Sequence, residues 1–139
     1  MYNFLKKKDK SEIENSLVKI AALLIHVARI DQNYTEKEKE IVRKTIVELG
    51  SKNEKVEKIL SEAEEIEKNS NQILDFTKEV KNMNEDSKIK IVEILWNIIY
   101  SDKNPDIYEN SLMRRLTGLL YLDAKIVGDI KEKVINNLK

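Results

Sequence analysis

L-I-H-V-A-R-I-D-Q-N-Y-T-E-K-E-K-E-I-V-R, residues 24–43, returns without a gap as L-W-N-I-I-Y-S-D-K-N-P-D-I-Y-E-N-S-L-M-R, residues 95–114. The offset of 71 positions matches Asp31 with Asp102, Asn33 with Asn104, Glu38 with Glu109 and Arg43 with Arg114. Each copy of the pattern D-x-N-x-x-x-x-E follows an apolar run and precedes a second segment of helical spacing. Such a duplication sets an architecture of two related units before any residue is given a role.

The segments around the repeat are helical in period. From about Ser11 to Ile30, the residues Ile13, Leu17, Ile20, Ala21, Leu24 and Ala28 fall three and four apart, and Val18, Ile25 and Val27 extend the apolar surface around most of the circumference. That helix belongs inside the domain. A second, from about Glu36 to Leu49, carries one stripe of Ile41, Val42, Thr45, Ile46 and Leu49 before Gly50 stops it. Ser51 followed by Glu54 reads as a capping box for a third, with Val56, Ile59, Leu60, Ala63 and Ile66 inward and E-A-E-E-I-E forming a solvated face.

A shorter fourth helix holds Ile73, Phe76, Thr77, Val80 and Met83, and a fifth, from about Asp86 to Ser101, is again apolar nearly all round. The sixth aligns with the second, placing Leu112, Met113, Leu116, Leu119 and Leu120 inward; Asp123 caps the seventh, whose stripe is Ile126, Val127, Ile130, Val134 and Leu138. With three Gly and one Pro in 139 residues, connections are short. The expectation is an all-α, single-domain bundle of about seven helices built as two pseudo-symmetric helix-loop-helix units, with the first and fifth helices as the central pair. Residues 1–10 read as a flexible extension and 11–139 as the folded domain.

Composition narrows function. Lys+Arg and Asp+Glu both number 25, so the formal charge is zero and no broad basic surface for nucleic acid is expected. The absence of cysteine excludes disulfides and thiolate metal sites. The longest apolar stretches, residues 17–30 and 89–100, fall short of the ~20 residues a bilayer crossing needs, so no membrane span is expected. The N-terminus has no secretory signal pattern, which points to the cytoplasm. Its lone histidine, His26, lies in an apolar helix with no Ser or Cys arrangement around it, so no catalytic set is read and the chain is not expected to be an enzyme. Trp96 reads as a core anchor.

The repeated turns hold the candidate chemistry. A short turn can bring Asp31, Asn33, Thr35 and Glu38 together, and likewise Asp102, Asn104, Asp106 and Glu109, as an oxygen cage for a divalent cation: calcium, magnesium, manganese or zinc. The same residues admit a structural reading. Thr35-x-x-Glu38 is a capping box and Asp106-x-x-Glu109 a near relative, each worth about 1 kcal/mol. Capping accounts for the glutamates but less well for Asp31 and Asp102, which sit at helix C-termini where the dipole disfavours an acid. Arg43 and Arg114, at equivalent places, are expected to pair with the motif acids.

A-R-I-D-Q-N-Y-T-E-K-E and Y-S-D-K-N-P-D-I-Y-E resemble the two acidic turns of the TerB family, the tellurite-resistance-associated helical domain also related to the N-terminal domain of the DjlA co-chaperone. The resemblance covers nearly the whole chain. It implies a seven-helix bundle, a bacterial cytoplasmic setting, a link to tellurite or chemical-stress response through a protein partner, and a metal-associated acidic cluster. On this sequence the cluster carries over as Asp31, Glu38, Asp102 and Glu109, with Asn33, Asn104 and Asp106 as secondary candidates. Two departures stand out: Gln32 and Lys103 replace the family's glycine after each motif Asp, and Tyr34 and Pro105 replace its aliphatic residue.

Overall fold

The computed structural model describes residues 10–29, 34–69, 73–102 and 107–137, with side chains described for 12–29, 34–69, 73–101 and 111–137. Among these residues seven α-helices follow one another: α1 Lys10–Ala28, α2 Glu36–Glu48, α3 Val56–Asn69, α4 Leu74–Lys81, α5 Glu85–Ile99, α6 Ile107–Leu119 and α7 Ala124–Asn137. Among the described residues there is no strand, and no helix is long and apolar enough to cross a membrane.

The two helices expected at the centre are there. Leu17, Val18, Ile20 to Ile25, Val27 and Ala28 of α1 are buried, as are Ile91, Val92, Ile94, Leu95, Trp96, Ile98 and Ile99 of α5. A helix apolar on every side must be surrounded by other helices. α1 packs most extensively on α3 and α4, α5 packs most on α7, and α1 and α5 meet along a smaller seam.

The repeat runs further in the structure than the matched residues indicate. A shift of 71 takes α2 onto α6 from first residue to last, and the end of α1 at Ala28 onto the end of α5 at Ile99. It also takes Asn53, which opens the 3-10 turn leading into α3, onto Ala124, the first residue of α7. The units are therefore helix triplets, α1-α2-α3 and α5-α6-α7, and α4 is the helix without a counterpart.

Helix ends show the same duplication. After α2, Gly50 takes φ +118, its N–H donates to the Val47 carbonyl at 3.0 Å, and Ser51 N–H donates to Ile46 at 3.1 Å. After α6, Tyr121 occupies the equivalent place at φ 57, donating to Gly118 at 3.2 Å, while Leu122 donates to Thr117 at 3.1 Å. Both are Schellman caps, which need a left-handed residue just beyond the helix. The first copy meets that need with glycine and the second with a tyrosine.

Other caps divide between expectation and correction. Asp123 Oδ1 accepts from Lys125 N–H at 2.8 Å, as expected of a cap for α7. Ser51 and Glu54 do not form the expected capping box. Ser51 Oγ donates instead to the Lys52 carbonyl at 2.9 Å, and the chain enters α3 through a 3-10 turn, Asn53–Lys55, whose preceding Lys52 offers no side-chain cap. At α5 the cap is Asn84, whose side chain accepts from Ser87 N–H at 2.8 Å.

Candidate functional site

The first acidic turn leads into α2, and its capping box forms as the sequence predicts. Thr35 Oγ1 accepts from Glu38 N–H at 3.2 Å, while Glu38 Oε1 accepts from Thr35 N–H at 2.8 Å and from Thr35 Oγ1 at 3.1 Å. Glu38 is 4% exposed, and a carboxylate buried to that extent needs such donors to offset its lost hydration. Its second oxygen faces the other copy. Oε2 lies 3.5 Å from Ser101 Oγ, and Ser101 immediately precedes Asp102. Lys37, one residue before Glu38, donates from Nζ to the Ser101 carbonyl at 3.0 Å. The start of α2 thus meets Ser101, just past the end of α5, through two side chains, the closer contact being that of Lys37.

Of the residues of the two expected cages, the side chains of Thr35 and Glu38 are described. Asp31, Asn33, Asn104 and Asp106 lie outside the described residues, and of Asp102 and Glu109 the side chains lie outside them. Among the described residues no group of three or more His, Asp or Glu side chains is arranged to hold a metal ion.

Tyr34, standing where an aliphatic residue was expected, straps the first turn to α3. It is half-buried, its ring has the Arg29 guanidinium and the Lys39 amine each 5.3 Å from its centroid, and its hydroxyl donates to Glu64 Oε2 at 3.0 Å. Burial first, and then the bond to Glu64, push the phenol well above its ordinary range. Arg29 Nη1 pairs with Glu67 Oε1 at 3.0 Å, and His26 Nδ1 lies 3.3 Å from Glu67 Oε2. His26 is therefore a structural partner of α3.

Two expectations are corrected at this end of the molecule. The glutamate run of α3 is not wholly a solvated face: Glu62 and Glu65 are exposed, but Glu64 and Glu67 are partly buried and bind Tyr34, Arg29 and His26. The signal was present, since Glu64 and Glu67 follow the buried Leu60 by four and seven positions and share its stripe. Arg43 turns away from Glu38 and binds Glu36 at 2.9 Å, Glu40 at 3.2 Å and Glu57 at 2.8 Å. Those hydrogen bonds, led by Glu36, raise the guanidinium above its already high pKa.

A bundle of two fused helix triplets, with α2 meeting Ser101 just past the end of α5 and with its central helices largely buried, defines a small all-helical module without a catalytic set among its described residues. The chain belongs to the TerB family: the family described as Tellurite resistance protein TerB matches residues 17–132. No curated protein and no solved structure matches the chain.

Proposed function

We propose that this chain is a non-enzymatic binding or scaffold module that serves tellurite or chemical-stress response through protein partners in the cytoplasm. The observation that carries this reading is how the polar side chains of the first turn are used. Thr35 caps α2 with Glu38, and Tyr34, Arg29 and His26 bond to Glu64 and Glu67 of α3, so they hold the fold and offer no nucleophile activated by a base. Family membership supports the link to tellurite. In-cell cross-linking of the tagged full chain, followed by calorimetric titration of the purified partner, tests the reading. A recovered protein that rebinds supports it; failure of every recovered protein to rebind overturns it.

One observation favours a second reading, a divalent-cation module with a single shared site. Glu38 Oε2 lies 3.5 Å from the hydroxyl of Ser101, the residue before Asp102 in the sequence, and the shared site would take Glu38 with Asp31, Asp102 and Glu109. Bound there, calcium, magnesium, manganese or zinc would neutralise the acids and tie the two units together. The test is thermal melting of chelator-stripped protein with each metal, beside an Asp31→Asn plus Asp102→Asn variant. A melting temperature that climbs with metal concentration, and fails to in the variant, supports the site. No shift at millimolar metal removes it.

A further inference from the structure

The helix without a counterpart, α4, shows what an empty place elsewhere is shaped to receive. It lies chiefly against α1 and also touches α5 and α6, burying Phe76, Thr77 and Val80. Its Glu79 accepts from Ser16 Oγ at 3.0 Å and pairs with Lys19 Nζ at 3.6 Å. The internal repeat carries α1 onto α5 and α6 onto α2, so the equivalent seat lies between α5 and α2, and no third α-helix among the described residues lines it.

A groove of about 300 Å³ is found there, lined by Lys37, Ile41, Lys44, Lys90, Ile94 and Asn97 among others. Lys90 is the counterpart of Lys19, and Ile94 that of Leu23. The same stripe of α5 begins at Ser87, the counterpart of Ser16; its buried hydroxyl has no hydrogen-bond partner, whereas that of Ser16 donates to Glu79. Three lysines and one acid, Glu48, line the groove, so its charge favours an acidic occupant. Lys37, Ile41 and Lys44 also line a neighbouring hollow, together with Glu36 and Glu40. Lys37 and Lys44 stand about 10 Å apart along the helix axis, too far for one small anion to bridge.

We propose that the groove between α2 and α5 is the docking seat for an amphipathic helix of a protein partner, which packs apolar residues on Ile41 and Ile94 and presents a carboxylate to Lys90. The proposal rests on the reading of the chain as a protein-binding module and names the surface it uses. Recognition follows the helix-in-groove mode, with apolar anchors three and four residues apart and flanking charge setting direction.

The probe is a fluorescein-labelled peptide with the α4 sequence, residues 73–83, and its partner peptide with glutamine in place of the glutamate at position 79. Anisotropy gives affinity, and amide chemical shifts of the full chain give location. Expected are shifts confined to Ile41, Lys44, Lys90, Ile94 and Asn97, a several-fold loss with the glutamine peptide, and at least a tenfold loss for a Lys44→Glu plus Lys90→Glu variant, whose substitutions at solvent-accessible lysines leave the melting temperature unchanged. Absence of binding at millimolar peptide, equal affinity for the variant, shifts at Ser16 and Lys19, or the same shifts from inorganic phosphate or phosphatidylserine vesicles would each overturn the proposal. If the peptide fails while a cross-linked partner binds parent and variant alike, the docking seat is wrong and the binding-module reading stands.

Discussion

Replacing Tyr121 by glycine should stabilise this protein, although the change removes a large side chain. Tyr121 holds φ 57 at the cap of α6, the place filled by Gly50 at the cap of α2. A left-handed backbone costs an L-residue roughly 1–2 kcal/mol. Against this stands the greater freedom of glycine in the unfolded chain, about 0.5–1 kcal/mol. Little burial is lost, because Tyr121 is 73% exposed. Its one notable contact is the Lys81 amine, 4.6 Å from the ring centroid, worth about 0.5 kcal/mol at an exposed site. At the midpoints of these ranges the net gain is about 0.3 kcal/mol in the parent, rising to about 0.8 kcal/mol when Lys81→Ala has already removed the cation. Urea unfolding at constant m reads both values. Gly50→Ala is the mirror control: a Cβ there meets no atom within 4 Å, so its cost is purely conformational. A Tyr121→Gly protein less stable than its parent in both backgrounds would refute the reasoning.

Other outcomes follow from the same geometry. Thr35→Ala removes the cap of α2 and should cost about 1 kcal/mol in urea unfolding, with Thr35→Ser recovering most of it; an unchanged midpoint would mean the cap contributes nothing. Leu24 and Leu95 are equivalent and both fully buried, so Leu24→Ala and Leu95→Ala should each cost ~2–5 kcal/mol, and a loss well below that at either would place that helix outside the core. The Tyr34 phenol is held protonated in the fold, so its contribution is fully present below the unfolded value of about 10 and is lost as pH rises beyond it. The stability gap between the parent and Tyr34→Phe should therefore shrink from pH 8 to pH 11; a constant gap contradicts the burial of the hydroxyl.

The fold was legible because its signals are local. Apolar spacing marked α1 and α5 as central, Thr35 with Glu38 marked the start of α2, and Gly50 marked its end, each through contacts within a few residues. What went unseen depends on residues far apart in the chain. Glu64 and Glu67 read as solvated because their partners Tyr34, Arg29 and His26 are 30 to 41 positions away, the ends of that range being the Tyr34 and His26 bonds. The extension of the repeat to α3 and α7 was hard to see because, at the offset of 71, those helices share few residues, Val56 with Val127 and Ile59 with Ile130 among them. The capping box at Ser51 failed for a local reason: the chain takes a 3-10 turn there, and Ser51 bonds to the Lys52 carbonyl. Of the candidate site, the capping half was legible, while the approach of Glu38 to Ser101 across 63 positions was not.

That the chain acts by binding another protein is tested most directly by the solution mass of a mixture. The purified chain and the partner recovered by cross-linking are combined and passed through size exclusion with light scattering. A single peak with the summed mass of the two is predicted, and it should split into its components when Lys44→Glu and Lys90→Glu are introduced together. Separate peaks for the unaltered chain and every recovered partner would contradict the account.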